Sequence, residues 1–196
     1  MPSESEIVVI GTSTGGLKAL QTLLSGLSAD FPLPVAIVQH RGSSSDNGLC
    51  EFLSRSSGLS VTEPEDKEPV VPGRVYLAPR DYHLLIEKGN FALSTDHAVA
   101  YARPSIDVLF ECVADEYGDK AIGVILTGAN NDGARGLAKI SSQGGLTVVE
   151  DPESAASHEM PRAALAATRA DWILPLQEIA PCLNKLVNVV AAHYGS

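Results

Sequence analysis

Basic residues are scarce in this sequence, which has 14 Lys and Arg against 24 Asp and Glu and a formal net charge of −10 at pH 7. Nucleic acids and anionic membrane surfaces are bound through clustered Lys and Arg that displace counterions. No such cluster is present along the sequence. The charge balance therefore argues against a nucleic-acid partner and against binding to an anionic lipid surface.

Cysteine is equally scarce. Cys50, Cys112 and Cys182 are odd in number and far apart in the chain. This spacing indicates neither a disulfide framework nor a zinc site. We therefore expect three free thiols packed in the core, where unpaired cysteine is usually found.

Long apolar runs are missing too. The first residues are acidic and lack the basic region and apolar stretch of a signal peptide. No uninterrupted apolar run approaches the roughly 18 residues that indicate a membrane-spanning helix. The sequence predicts a cytoplasmic protein with no direct membrane insertion.

Apolar residues are nevertheless plentiful enough for a core, since hydrophobic types make up 44% of the 196 residues and charged types 19%. A chain of this length fits one α/β domain, so we expect residues 1–196 to form a single domain. Short apolar runs alternate with segments of helical periodicity, without repeats or an interdomain linker. This alternation predicts a doubly wound, mainly parallel sheet with helices on both faces.

The individual elements follow from these patterns and from Gly and Pro at their ends. Strands are predicted at roughly residues 6–10, 34–39, 121–127, 146–150 and 171–176. Helices are predicted at roughly 15–27 and 104–117, from residue 133 to about 142, from residue 160 onward, and at the C-terminus. A further amphipathic segment lies at roughly 45–56. The proline-containing stretch at roughly 59–100 predicts hairpin-like antiparallel strands.

The first predicted strand runs into a glycine-rich turn, "IGTSTGG", at residues 10–16. A dinucleotide-binding turn needs a glycine where Ser13 stands, and an acidic residue near the end of the second strand, which here ends in Gln39 and His40. A phosphate-binding loop that ends in Gly-Lys-Ser/Thr needs a lysine where Leu17 stands. The turn therefore does not fit either kind of nucleotide site.

The same turn fits a nucleophile. Residues 11–15, "GTSTG", match G-x-S-x-G on a strand-to-helix turn, which lifts a serine hydroxyl clear of the sheet. The helix N-terminus beside Ser13 supplies free N–H groups, and the Thr14 N–H is a candidate donor to an oxyanion. An ordinary helix N-cap is the alternative role for Ser13.

A serine nucleophile needs a base and a group that orients the base. His40 ends the second strand, and Asp132 lies in the "GANNDG" turn after the strand at 121–127. Because parallel strands end at one edge of a sheet, Ser13, His40 and Asp132 are predicted to converge there. The alternatives are a surface histidine at His40 and a helix cap at Asp132. The sequence identifies no partner for the remaining histidines, His83, His97, His158 and His193.

Six segments of the chain resemble, in the expected order, the signatures of one family: "IGTSTGG", "IVQH", "VVPGRVYLAPRDYHL", "RPSIDVLF", "GVILTGANNDGARGL" and "MPRAAL". The first is similar to that family's I-G-A-S-T-G-G turn and the second to its strand-ending Gln-His. From about Ile7 to Leu186 the sequence thus resembles the catalytic domain of the chemotaxis protein-glutamate methylesterase family, the CheB type. The resemblance implies Ser13 as nucleophile, His40 as general acid and base, and Asp132 as the carboxylate that orients His40.

The implied reaction is hydrolysis of γ-glutamyl methyl esters on the cytoplasmic helices of methyl-accepting chemotaxis receptors, which gives glutamate and methanol. Deamidation of receptor glutamines is the implied second activity. Backbone N–H groups near Thr14 and Ala129 would hold the oxyanion, and Thr12 is a further residue of the predicted oxyanion or substrate site. The resemblance implies no metal and no organic cofactor.

Two features depart from the family's usual pattern. Its G-M-G-x-D-G signature has Ala129 and Asn130 here in place of Met and Gly, while Asp132 keeps its position. Only about six residues precede the first strand, where the family usually carries a phosphorylation-receiver domain. We therefore expect either a stand-alone esterase domain, controlled by a separate receiver-domain protein or not at all, or a piece of a larger protein.

These departures keep two other functions open. One is a related serine esterase or amidase that acts on a different protein or on a small molecule. The other is a non-catalytic regulatory module with the same fold.

Overall fold

The structure, a computed structural model, describes residues 5–40, 48–99 and 101–191. Its strands are β1 (Ile7–Thr12), β2 (Val35–Gln39), β3 (Ser60–Thr62), β4 (Arg74–Leu77), β5 (His83–Glu87), β6 (Asn90–Ser94), β7 (Ala121–Ile125), β8 (Leu146–Glu150) and β9 (Trp172–Leu174). Its α-helices are α1 (Gly16–Gly26), α2 (Leu49–Ser56), α3 (Ile106–Tyr117), α4 (Ala134–Ser142), α5 (Glu159–Ala167) and α6 (Leu176–Ala191).

The central sheet, as far as the described residues show it, has seven strands in the order β3-β4-β2-β1-β7-β8-β9, and every neighbouring pair is parallel. Along β1, Val8 and Ile10 belong to one core cluster, and Ile7 and Val9 belong to the other. Successive side chains of a strand point to opposite faces, so both faces of β1 are buried. This is why the first four residues of the strand are all apolar, as a parallel sheet covered on both sides requires.

Helices supply the other half of each core cluster. Leu20 of α1 and Leu183 of α6 are buried in the cluster on one face of the sheet. Phe110 of α3 and Leu137 of α4 are buried in the cluster on the opposite face. The predicted doubly wound α/β fold, with helices on both faces, is confirmed.

The prediction of antiparallel strands at 59–100 is correct only for β5 and β6, which pair in antiparallel register from His83–Ser94 to Glu87–Asn90. β3 and β4 instead join the parallel sheet, with Val75 of β4 opposite Val35 of β2. Val75 and Leu77 are completely buried, and a short apolar strand of this kind gains most when both its faces are covered. The prolines and glycines of this stretch indicate turns, so the sequence did not show that β3 and β4 join the parallel sheet.

The order in which strands are added to the sheet reverses between β1 and β7. From β1 the chain passes to β2 on one side, whereas β7 lies on the other side of β1 and leads on to β8 and β9. In open α/β sheets, ligands bind outside the carboxyl ends of the strands where the strand order reverses. The fold therefore places the loops after β1, β2 and β7 around one candidate site.

The cysteines, the possible metal ligands and the segment at 45–56 compare with the sequence predictions as follows. Cys112 and Cys182 are free thiols, as expected, but both of them, like Cys50, are only partly buried. In the described part of the chain, no helix is long and apolar enough to cross a membrane, and no group of three or more His, Cys, Asp or Glu could hold a metal ion. Of the amphipathic segment at 45–56, residues 49–56 form α2, whereas residues 45–47 lie outside the described ranges. His193 lies outside them too.

Candidate active site

Ser13 lies directly after β1, on the turn that leads into α1. Gly15 forms the N-cap of α1 with a φ of 81°, a left-handed conformation that favours glycine. A Cβ at this position would also lie 2.9 Å from Cβ of Ala156. The strand, turn and helix required by the G-x-S-x-G pattern are therefore present, and the turn needs its glycine both for conformation and for space.

Thr127, two residues beyond β7, holds this turn in place. Its carbonyl oxygen accepts hydrogen bonds from the Thr12 hydroxyl at 2.8 Å and from the Ser13 N–H at 3.0 Å. Its own hydroxyl donates to the Thr14 carbonyl at 2.9 Å and accepts from the Ser157 N–H at 2.8 Å. Thr127 is 1% exposed. Sequence reasoning missed it, because all these partners are distant in sequence.

One of these hydrogen bonds involves Thr12, which the sequence analysis assigned to the oxyanion or substrate site. Its side chain is completely buried, and its hydroxyl hydrogen is donated to the Thr127 carbonyl. A buried donor that already has a partner cannot also bind an oxyanion without losing that bond. The Thr12 side chain therefore ties the turn after β1 to the loop after β7.

Ser13 and His40 lie side by side because of strand register. Thr12 is opposite Gln39 in the ladder between β1 and β2, and the His40 N–H donates to the Thr12 carbonyl at 3.0 Å. Neighbouring strands are roughly 4.8 Å apart, so the residues that follow this pair start from adjacent positions. No hydrogen bond of the Ser13 hydroxyl occurs among those of the described residues, so the hydroxyl is not tied to another protein group there.

His40 and Asp132 are in direct contact. His40 Nε2 lies 2.8 Å from Asp132 Oδ2, and the two side chains are 15% and 2% exposed. The carboxylate also accepts hydrogen bonds from the Ser105 hydroxyl at 2.9 Å and from the N–H groups of Ile106 at 2.7 Å and Asp107 at 2.9 Å. These groups form the N-terminus of α3, where a negative charge is favoured. Both carboxylate oxygens of buried Asp132 are therefore held by hydrogen bonds.

These contacts decide the ionisation of Asp132. Burial by itself would raise its pKa, but the hydrogen bonds from His40 and from the Asp107 and Ile106 N–H groups outweigh burial, so the pKa lies below its ordinary value. Asp132 is then a carboxylate at neutral pH. It can orient the His40 ring and stabilise a positive charge that develops on it.

A second histidine, His83, supports Asp132 indirectly through Ser105. His83 is 2% exposed, and its Nε2–H donates to the His97 carbonyl at 3.0 Å, which leaves Nδ1 to accept the Ser105 N–H at 3.2 Å. Ser105 is the N-cap of α3 and in turn donates to Asp132. The sequence offered no partner for His83, since both partners come from loops whose course only the fold determines.

Both ring nitrogens of His40 have partners. Nε2 faces Asp132, and Nδ1 lies 3.0 Å from the side-chain Nδ2 of Asn130. Asn130 Oδ1 accepts the Asp132 N–H at 3.0 Å. Asn130 is one of the two residues that depart from the family's usual signature, and it touches both His40 and Asp132.

Two backbone N–H groups near Ser13 are open to a ligand. Neither the Thr14 N–H nor the Ala129 N–H takes part in a hydrogen bond among the described residues, and both residues are exposed. Gly128 brings the second group close, since a Cβ there would lie 3.0 Å from Cβ of Ser13. This arrangement is compatible with an oxyanion site between the loops after β1 and β7.

A pocket of about 530 Å³ opens beside Ser13, between the first turn of α1 and α2. Leu17 and Phe52 line it and are 43% and 42% exposed. Gln39, also in its lining, is 8% exposed, and its buried Oε1 has no hydrogen-bond partner within the described ranges. The pocket thus combines apolar residues at its surface with the nucleophile candidate, as a site for an apolar or protein substrate would.

Comparison with known proteins bears directly on this site. The family model described as CheB methylesterase matches residues 8–183, which include Ser13, His40 and Asp132. This chain belongs to the CheB methylesterase family. The resemblance inferred from the six sequence segments is thereby confirmed.

Individual relatives agree with the family assignment. A protein of Leptospira interrogans is 48% identical over 92% of this chain and 94% of its own length. A "Protein-glutamate methylesterase/protein-glutamine glutaminase 1" of Pseudomonas fluorescens is 43% identical over 92% of this chain but only 54% of its own length. This chain therefore spans nearly the whole of one CheB-family relative and about half of another.

A solved structure of the family has the same fold. The crystal structure of the Thermotoga maritima CheB methylesterase catalytic domain is 37% identical and covers 93% of this chain and 99% of its own, with a TM-score of 0.88. The arrangement of strands and helices described above is thus the fold of a CheB catalytic domain.

Proposed function

We propose that this chain is a serine hydrolase that removes methyl esters from γ-glutamyl groups of chemotaxis receptors and also deamidates receptor glutamines. Membership of the CheB methylesterase family supports the activity, as do relatives named protein-glutamate methylesterase/protein-glutamine glutaminase. One geometric observation carries the serine mechanism: the carboxylate of Asp132 holds His40 at the position next to Ser13.

His40 is the general base for Ser13. Since Nε2–H is donated to Asp132, Nδ1 is the ring nitrogen left to accept the Ser13 proton. The Ser13 oxygen attacks the ester carbonyl as its proton passes to Nδ1, and Asp132 stabilises the resulting imidazolium. His40 then donates this proton to the leaving oxygen, and methanol departs.

The acyl-enzyme is resolved by the reverse sequence. His40 takes a proton from water, the hydroxide adds to the acyl carbonyl, and the proton returns to the Ser13 oxygen as the ester bond breaks. The products are a glutamate side chain and free Ser13, so one water is consumed for each methanol released. With a glutamine substrate, the same steps release ammonia.

The Thr14 and Ala129 N–H groups stabilise the oxyanion in both steps. They are the open donors on either side of Ser13, whereas the Ser13 N–H is already donated to Thr127. Donors of this kind are typically worth about 10²–10³-fold in rate. The effect of side-chain changes at Thr14 and Ala129 is therefore smaller than that of a backbone change.

The receptor partner determines where the enzyme acts. We propose that the ester groups lie on the cytoplasmic helices of the receptors, which places the enzyme in the cytoplasm. A helix that carries the glutamyl group would lie across the pocket beside Ser13, against Leu17 and Phe52. Control by a separate receiver-domain protein remains a prediction from the resemblance alone.

The direct test is methanol release from a receptor cytoplasmic fragment that carries γ-glutamyl methyl esters, with ammonia release from the unmodified fragment measured in parallel. Wild-type protein is expected to release methanol, and Ser13→Ala is expected to release none above background. Turnover of simple esters without release of methanol or ammonia from the fragment would refute the receptor substrate. Equal release by wild type and Ser13→Ala would refute the role of Ser13.

A further inference from the structure

His40, Asn130 and Asp132 form a closed ring of three hydrogen bonds. The Asp132 N–H donates to Asn130 Oδ1 at 3.0 Å, Asn130 Nδ2 lies 3.0 Å from His40 Nδ1, and His40 Nε2 lies 2.8 Å from Asp132 Oδ2. A backbone N–H can only donate, so the atom of Asn130 that faces it must be the oxygen. The atom that faces His40 is then the NH₂ group.

This assignment fixes the state of the histidine. Because the Asn130 NH₂ group can only donate, His40 Nδ1 must accept and carries no proton. The ring proton then lies on Nε2, where it is donated to the Asp132 carboxylate. The neutral Nε2–H tautomer is the one that the proposed mechanism needs before Ser13 attacks the ester carbonyl, yet Nδ1, the nitrogen that must accept the Ser13 proton, already accepts from Asn130.

A ring nitrogen has one lone pair in the plane of the ring and accepts one strong hydrogen bond. In the structure that lone pair is taken by Asn130, and no hydrogen bond between the Ser13 hydroxyl and His40 occurs among those of the described residues. The base and the nucleophile are therefore adjacent but not connected. Asn130 is exposed, so its side chain has room to leave.

We propose that Asn130 is a latch on the general base: its amide caps Nδ1 of His40 in the resting enzyme and must leave before His40 can accept the Ser13 proton. This inference rests on the proposed serine mechanism and adds a control element that belongs to this chain, at the position where the family's usual signature has glycine. Asn130 acts through His40 and is a positioning residue.

Removing the latch should speed the reaction. Asn130→Gly frees Nδ1, and since exchanging one neutral hydrogen bond typically changes an equilibrium by a few fold, turnover of p-nitrophenyl acetate is expected to rise by roughly three- to tenfold. Most of the gain should appear in kcat, because the pocket beside Ser13 is unchanged. Asn131→Ala is the matched control, since this exposed neighbour has no side-chain hydrogen bond among the described residues, and its turnover should equal that of wild type.

Asn130→Asp separates the latch from a merely structural role. Aspartate keeps the oxygen that accepts the Asp132 N–H but replaces the NH₂ group with a second acceptor. That acceptor favours a proton on His40 Nδ1, the nitrogen that must accept from Ser13, so turnover is expected to fall below that of wild type. If Asn130 only supports the turn, Asn130→Asp behaves as wild type and Asn130→Gly loses activity.

Nitrogen-15 NMR of the histidine side chains tests the resting state without any substrate. Wild-type His40 is expected to show the Nε2–H tautomer with a hydrogen-bonded Nδ1, and Asn130→Gly should move the Nδ1 resonance toward that of a free acceptor. A protonated Nδ1 in neutral wild-type His40 would overturn the proposal, and so would Asn130→Gly turning over at or below the wild-type rate. Failure of the proposed function is recognised separately, by Ser13→Ala retaining full esterase activity.

Discussion

Ser13 and His40 each lie one residue beyond Thr12 and Gln39, which are opposite each other in the ladder between β1 and β2. Their proximity is therefore set by the register of two buried, neighbouring strands. The third member, Asp132, reaches His40 from the loop after β7 and is fixed by the N-terminus of α3. A constellation held by strands and a helix end keeps its geometry better than one held by loops alone.

The role of Ser13 is tested by substitution with a matched serine control. Ser13→Ala removes the nucleophile and should lower turnover of p-nitrophenyl acetate by about 10⁴–10⁶-fold. Ser25 lies in α1, and its exposed hydroxyl donates to the Thr22 carbonyl in the same helix. Ser25→Ala should keep the wild-type rate. Equal turnover by all three proteins would show that Ser13 has no catalytic role.

The role of Asp132 is tested by its amide. Asp132→Asn places an NH₂ group among the donors of Ser105, Ile106 and His40, so the His40 ring loses its orientation and its stabilising charge. We expect kcat to fall by about 10³–10⁴-fold. Asp115→Asn is the control, because Asp115 is 62% exposed and pairs only at the surface with Lys139. A loss of less than tenfold in Asp132→Asn would contradict the proposed role.

Asp132 should also change how the free energy of unfolding depends on pH. Its pKa lies below the ordinary 3.8, so its contribution is fully present above that value and is lost as pH falls through the lower folded-state pKa. The difference in free energy of unfolding between wild type and Asp132→Asn should therefore be constant from about pH 5 to 7 and shrink below about pH 4. Urea unfolding at a series of pH values measures it. A difference that stays constant to pH 3 would mean that the pKa is not lowered.

Thr127 is expected to matter for the nucleophile's turn more than for the rest of the fold. Thr127→Val removes the hydroxyl that bonds to Thr14 and Ser157, and it should cost about 1–3 kcal/mol in stability and lower kcat. Thr147 is an equally buried threonine whose hydroxyl bonds to Asp171, near the amino end of β8. Thr147→Val should cost similar stability but leave kcat unchanged. Equal kcat losses in the two variants would contradict a local role for Thr127.

Phe52 is expected to contact the protein substrate. Phe52→Ala should raise KM for a methylated receptor fragment by roughly five- to thirtyfold, as removal of a well-placed interface aromatic does. Turnover of p-nitrophenyl acetate, which is too small to reach Phe52, should be unaffected. Ile173→Ala is the control, since Ile173 is 51% exposed but belongs to β9 at the edge of the sheet. An unchanged KM for the receptor fragment in Phe52→Ala would place the docking surface elsewhere.

Much of this fold could be predicted because its central strands are buried on both faces and therefore stand out as apolar runs. β3 and β4 could not, because β3 is only three residues long and β4 four, and because β4 also pairs with β2, which is not its neighbour in sequence. The expectation that residues 1–196 form one domain stays a prediction.

The residues of the site could likewise be predicted only in part from the sequence. Ser13, His40 and Asp132 could be placed together because each follows a predicted strand at one edge of the sheet. The residues around them could not, since Thr127, His83 and Asn130 act through hydrogen bonds to groups far away in the chain. Asn130 was visible only as a departure from a signature, and its contact with His40 required the folded turn.

Activation of Ser13 by His40 can be measured by labelling with a fluorophosphonate, which transfers its phosphonyl group to an activated serine and releases fluoride. Mass spectrometry of the intact protein and of its peptides should find one adduct, on Ser13. His40→Ala should slow its formation by about 10²-fold or more. An adduct on another residue, or an unchanged labelling rate in His40→Ala, would contradict the account.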